Sequence, residues 1–217
     1  MSERDRSARQ RGWFITIEGP DGSGKTLVAA LVRDALAARG IAARLTREPG
    51  GTAVGERVRA ILLEHAPDDP PLAPRADALL FAAARAQHVA EVIDPAVAHG
   101  ELVLCARYAD STLAYQGYGL GLPLDELREL QRFATGGRWP DLTVLLDIPV
   151  EVGLARKQHD EQTRFEAAFD VAYHRRVRRG FLALAAAEPD RFVIVDATAP
   201  IDAVVAATLE AILGLLG

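Results

Sequence analysis

Short apolar runs alternate along this chain with longer stretches in which apolar residues recur every three to four positions. Residues 13–18, Trp-Phe-Ile-Thr-Ile-Glu, read as a strand, being β-branched and aromatic. A glycine-rich segment at 19–24 follows, and residues 26–39 then carry helical spacing that stops at Gly40. The same reading predicts strands over 43–46, 102–105, 142–148 and 191–195. It predicts helices over 54–65, 75–99, 110–116, 124–135, 150–157 behind Pro149, most of 164–187, and 201–213. Strands separated by helices imply a parallel sheet covered on both faces, because each right-handed crossover needs a helix to return the chain. Ligands of such sheets gather beyond the carboxyl ends of the strands.

Composition narrows the class. The chain has 217 residues, 49% hydrophobic and 25% charged, which suits one domain of ordinary size. Residues 1–12 show no apolar periodicity and read as a disordered leader, leaving 13–217 as a single domain without repeat or low-complexity linker. With 25 basic and 30 acidic residues the formal charge is −5, which speaks against a nucleic-acid partner. The N-terminal segment is polar, and no apolar stretch approaches the ~18 residues of a membrane span, so neither secretion nor membrane insertion is expected. A single cysteine, Cys105, lies within an apolar run, which excludes a disulfide framework and fits a reducing cytoplasm. Only two of the 25 basic residues are lysine, Lys25 and Lys157, so Lys25 stands out by its position.

Residues 19–26, Gly-Pro-Asp-Gly-Ser-Gly-Lys-Thr, match the phosphate-loop pattern G-x-x-x-x-G-K-S/T, directly after a predicted strand and opening a predicted helix. Gly19, Gly22 and Gly24 let backbone N–H groups turn inward around phosphates, with Asp21 and Ser23 between them, and the helix N-terminus adds positive partial charge. Lys25 would bridge the terminal phosphates of a nucleoside triphosphate, and the Thr26 hydroxyl would be a ligand for Mg²⁺. Asp147, closing an apolar strand, is on pattern alone a further Mg²⁺ carboxylate candidate.

Further segments name an acceptor. Thr46-Arg47-Glu48-Pro49-Gly50-Gly51-Thr52, Phe81 with Arg85, Arg107-Tyr108, and Ser111-Thr112-Leu113-Ala114-Tyr115-Gln116-Gly117 together resemble the bacterial thymidylate kinases. The likeness runs from Trp13 to about Gly214. It implies transfer of the γ-phosphoryl of ATP to dTMP, giving dTDP, in a homodimer. It also implies an α/β fold: a P-loop three-layer α/β/α sandwich with a five-stranded parallel sheet and a short lid.

The resemblance assigns roles residue by residue. Phe81 and Arg85, four apart on one helix face, would stack on thymine and bond its edge. Thr112, Tyr115 and Gln116, at i, i+3 and i+4, would meet the base and pack beside the sugar, where a ribose 2′-hydroxyl would have to fit. Arg59 and Arg107 would hold the acceptor phosphate, Asp21 the 3′-hydroxyl, and Arg47 and Glu48 would shape the acceptor side, unless they form an exposed ion pair. The charged run at about 156–166 resembles the lid. Gly22 stands where some members carry a catalytic arginine in the phosphate loop, so Arg156 or Arg164 is expected to stabilise the transferring phosphoryl. Residues 196–198 resemble the loop near adenine.

The chain also departs from that pattern. Ala106 and Ala84 stand where the family usually has aspartate, Leu120 where a basic residue is common, and Thr163 replaces the lid's usual acid. Loss of a carboxylate at 106 opens one alternative, a nucleotide-binding protein of the same fold with impaired turnover. A kinase for another monophosphate, dUMP or dCMP, is a second; Gln116 with Arg85 favours thymine over cytosine.

Overall fold

A five-stranded, all-parallel sheet organises the protein in a computed structural model that describes residues 11–63, 72–157 and 169–217. The strands are β1 (Trp13–Glu18), β2 (Ala43–Arg47), β3 (Leu102–Ala106), β4 (Leu142–Asp147) and β5 (Phe192–Asp196), in spatial order β2-β3-β1-β4-β5. β1 is therefore central, with Ile17 opposite Ala106 of β3 on one side and Val144 of β4 on the other. Strands β2, β3 and β1 bring Arg47, Ala106 and Ile17 into line, so their carboxyl ends open on the same place.

Strand alternation sends side chains to opposite faces. Ile15, Ile17, Leu104, Val144 and Leu146 pack against Val28, Val32 and Leu36 of α1 (Lys25–Ala37) and Val204, Leu209 and Ile212 of α9 (Ile201–Leu216). On the other face, Phe14, Val103 and Cys105 meet Val89, Ile93 and Tyr108. Leu145 meets Tyr173, Val177 and Phe181 of α8 (Val171–Ala187). Each fully buried aliphatic or aromatic side chain contributes roughly 1.5–3 kcal/mol, and helices cover both faces, as the alternating sequence requires. Burial pushes the Cys105 thiol up, so it packs as a small apolar residue.

The remaining helices are α2 (Ala53–Leu63), α3 (Pro74–His88), α4 (Asp94–Ala98), α5 (Ala109–Thr112), α6 (Leu124–Thr135) and α7 (Val150–Lys157). Two predicted helices change character. The stretch 75–99 is not one α-helix: a wide π-helical turn, Val89–Ile93, separates α3 from α4. Pro95, just beyond it, has no N–H to donate and crowds the carbonyl four residues back. Likewise 110–116 is α-helical only to Thr112, and Leu113–Gly119 is π-helical. Arg11 pairs with Asp141 and the Gly12 N–H reaches the Val97 carbonyl at 3.0 Å, so the packed chain starts before Trp13.

Candidate active site

The turn after β1 is built by glycines at positive φ: Gly19 at 149°, Gly22 at 76° and Gly24 at 85°. At Gly22 a side chain has no room, because a Cβ would lie 1.9 Å from the Gly153 carbonyl oxygen of α7. An arginine at 22 would displace this packing. Lys25 folds back from the first turn of α1, its Nζ donating to the carbonyls of Gly19 at 2.8 Å and Pro20 at 2.7 Å. Burial, and then the nearby Arg107 charge, push the Lys25 pKa well below its ordinary value. Burial opposes ionisation of Asp21, but Arg107, Lys25 and Lys157 outweigh it and hold its pKa at about 2. Thr26 is exposed on the same turn.

These residues form one wall of a cavity of about 630 Å³. One end is lined by Ala197, Ala199, Ile201 and Val204, beside the phosphate loop and Arg156. The other is lined by Arg47, Glu48, Arg59, Phe81, Thr112, Tyr115 and Gln116. Arg107 lies on the wall of the same cavity. The space is continuous and has the size of a small-molecule site.

Arg107 follows β3 with φ 69°, a left-handed backbone unusual for a side chain of its size. Its guanidinium pairs with Asp21 and sits 5.0 Å from the Tyr115 ring centroid. The backbone around it is held by Glu18, which is completely buried. One Glu18 oxygen accepts from the Tyr108 N–H at 2.6 Å and the Ser111 N–H at 3.3 Å, the other from the Ser111 hydroxyl at 2.7 Å. Burial, and then the charge of Asp110, raise the Glu18 pKa to about 7. Asp110 is itself gripped by Arg191 through two bonds of 2.8 Å.

A buried acid raised in this way stabilises the fold fully below its unfolded value of 4.5, and that contribution is lost as pH rises through about 7. Urea titrations are therefore expected to show stability falling between pH 5 and 8, by at most about 3 kcal/mol from this group. Glu18→Gln should flatten the decline, since an amide keeps both N–H acceptances and can donate to Ser111. Asp21, with a pKa of about 2, stays ionised throughout and does not confuse the window. Equal slopes in both proteins would refute the assignment.

At the acceptor end the side chains take partners that the spacing did not predict. Arg47 and Glu48 do not pair with each other: Arg47 reaches Glu56 at 3.1 Å, and buried Glu48 turns the opposite way to Arg85 at 2.7 Å and His88 at 2.9 Å. Phe81 lines the cavity, whereas Arg85, four residues on, is 1% exposed and stands behind its wall. Arg85 donates to Glu48, to the Thr112 hydroxyl at 3.0 Å, to the Tyr108 carbonyl at 2.9 Å and to Gln131. A guanidinium needs such partners to be buried, and here they tie Thr112 to α3. Thr112, Tyr115 and Gln116 do share the cavity, but not as an α-helical face. In the π-helical turn Tyr115 stacks edge-on with Phe181, 6.0 Å between centroids, and Gln116 Nε2 donates to Asp77 at 2.8 Å.

Arg59 lines the cavity and donates to the Pro49 carbonyl at 3.0 Å, and Arg156 donates to the Ala197 carbonyl at 3.0 Å. Arg164, Thr163 and most of the expected lid lie outside the described residues. Asp147 is not part of the cavity lining: Arg178 holds both its oxygens, at 2.7 and 2.8 Å. Sequence reasoning passed over Glu18, Ser111 and Asp77 as site residues. It noted Lys157 for its rarity and within the charged run that resembles the lid, and that lysine lines the cavity. The scarcity of lysine was one available signal; Ser111 lies in the 111–117 segment that carries the resemblance, and nothing in the sequence marked Glu18 or Asp77.

A phosphate loop between the first strand and first helix of a parallel sheet, opening on a cavity with cations at its centre, defines a P-loop α/β nucleotide-binding protein. The thymidylate kinase family model matches residues 17–208. The thymidylate kinase of Thermomicrobium roseum is 53% identical over 190 residues, covering 87% of this chain and 88% of that protein. That of Deinococcus radiodurans is 52% identical over 193 residues, covering 88% and 92%. That of Geotalea daltonii is 46% identical over 213 residues, covering 94% and 98%. The chain belongs to the thymidylate kinase family.

Proposed function

We propose that the protein transfers the γ-phosphoryl of ATP to dTMP, giving dTDP and ADP. The observation that carries this reading is the continuity of one cavity from the phosphate loop to Phe81 and Gln116, with Arg107 on the wall between. Donor and acceptor phosphates would meet beside that guanidinium, which counters the repulsion between two anions as they approach in line. Lys25 would leave its carbonyl partners for the β and γ phosphates, and the turn's N–H groups would hold the remaining oxygens. Arg59 would share the acceptor phosphate, and Asp21, exchanging its hold on Arg107, would accept from the 3′-hydroxyl. The acceptor oxygen is already anionic, so no strong general base is needed.

Phe81 offers a ring for thymine, Gln116 an amide for its edge, and Tyr115 closes the sugar side. Arg47 and Glu48 shape this end, Glu48 by fixing Arg85, and Arg85 by fixing Thr112. Arg156 and Arg164 would bring charge from the lid. The exposed Thr26 hydroxyl is a hard oxygen donor of the kind Mg²⁺ accepts. Among the described residues no cluster of three or more metal-binding side chains exists. An ion arriving with the nucleotide, held by few protein groups, suits that donor set, and it would neutralise phosphate charge.

We further assign the protein to the cytoplasm, as a single domain acting as a homodimer. Among the described residues no helix is long and apolar enough to cross a membrane. Exposed Ile61, Leu79 and Phe133 lie on α2, α3 and α6, which pack side by side and offer an apolar face to a second copy.

The test is ADP release from ATP and Mg²⁺ with dTMP, dUMP and dCMP offered separately against a no-acceptor control. Turnover at about 1 s⁻¹ or faster with dTMP is expected. Preference for another monophosphate, or no acceptor-dependent turnover despite Ala106→Asp replacement, would overturn the assignment.

A further inference from the structure

A glutamine amide is a reader with two ends. Its carbonyl accepts, its NH₂ donates, and a half-turn of the last torsion exchanges them. In a pocket that left this torsion free, Gln116 would serve thymine and cytosine alike. Thymine presents an N3–H donor beside a carbonyl acceptor, cytosine an N3 acceptor beside an amino donor, and one rotation converts the match.

The structure shows one end tied. Gln116 Nε2 donates to Asp77 Oδ2 at 2.8 Å, with Gln116 1% and Asp77 2% exposed. Gln116 lines the cavity; Asp77, in the first turn of α3, lies outside the lining. A carboxylate accepts and does not donate. Turning the amide over would set the Gln116 carbonyl oxygen against a carboxylate oxygen, both out of reach of water, which is strongly unfavourable. We propose that Asp77 is a specificity-determining positioning residue. By locking the Gln116 amide it restricts the acceptor to a pyrimidine monophosphate whose N3 carries a proton, and rejects the cytosine edge. In the locked orientation the Gln116 carbonyl accepts from N3–H, and the second Nε2 proton is available to the neighbouring base carbonyl. This rests on the reading of Gln116 as a base contact.

Asp77→Asn tests the lock, because asparagine can meet Gln116 in either orientation: its carbonyl accepts from Nε2, or its amide donates to the Gln116 carbonyl. The ratio of kcat/KM for dCMP to that for dTMP is expected to rise about 10-fold or more. Asp77→Glu, which keeps an accept-only group, should hold the parent ratio. Asp77→Ser supplies the same readout should the asparagine variant not fold, as a melting curve will tell. A structural role alone would lower both substrates together. Gln116→Leu is measured alongside and should raise KM for dTMP about 10-fold or more. If it does not, the base-reading assignment itself fails. If it does, and the carboxylate-free Asp77 variants keep the parent ratio, the lock is wrong and the base reading stands.

Discussion

Replacing Lys25 with alanine is expected to lower kcat/KM for ATP by about 100-fold or more, and to remove the rise in melting temperature that ATP produces. Without nucleotide its ammonium is buried and satisfied by two loop carbonyls, and its pKa is pushed well below the ordinary lysine value. A lysine whose folded pKa is lowered holds its proton less firmly in the native state, so at neutral pH its charge costs stability. Melting of the nucleotide-free variant should thus match or exceed the parent, with Lys25→Met, which keeps the apolar stem, as the companion. Phosphates reverse the balance, since they give the ammonium anionic partners in a site of low dielectric. Calorimetric melting with and without ATP separates the two effects. A variant that loses stability in the nucleotide-free form yet keeps the ATP-induced shift would contradict this role.

Arg107→Ala should cost about 10²–10³-fold in kcat/KM for the monophosphate. Two features make the effect large. The guanidinium belongs to the cavity between its two ends, and its partner Asp21 loses the largest of the cationic influences that hold its pKa near 2. Backbone strain must be separated from charge, because residue 107 sits at φ 69°. Arg107→Gly removes the charge equally but suits the left-handed backbone, so it should be as inactive as the alanine variant while about 1 kcal/mol more stable. Steady-state kinetics with urea denaturation of both variants decide this. Equal stability would show that Glu18 and Ser111 do not hold the turn against strain, and near-parent activity of either would remove Arg107 from the centre.

The sheet was legible in the sequence because buried parallel strands leave continuous apolar runs. β1 and β4 appeared within a residue of their ends. The phosphate loop was legible for a related reason: its glycines, lysine and threonine act through main-chain geometry and fixed local spacing, which sequence carries directly. The acceptor end was legible only in part. Phe81 and Gln116 reach the cavity, but the helical spacing that paired Phe81 with Arg85 says nothing of Glu48, which approaches from β2 and draws the guanidinium behind the wall. The π-helical turn at Leu113–Gly119 likewise broke the i, i+3, i+4 argument for Thr112, Tyr115 and Gln116. Glu18 and Asp77 were invisible because their partners, Ser111 and Gln116, lie 93 and 39 residues away in the chain. Long-range pairing of this kind leaves no local pattern.

The central claim is that one cavity joins a phosphoryl donor to a thymidylate acceptor. Its most direct test follows the phosphorus itself. With ATP labelled at the γ-phosphate, Mg²⁺ and dTMP, separation of the products should place the label in dTDP, in amounts equal to the ADP formed and dependent on dTMP. Label appearing as free inorganic phosphate, or remaining in ATP when dTMP is present, would contradict the account.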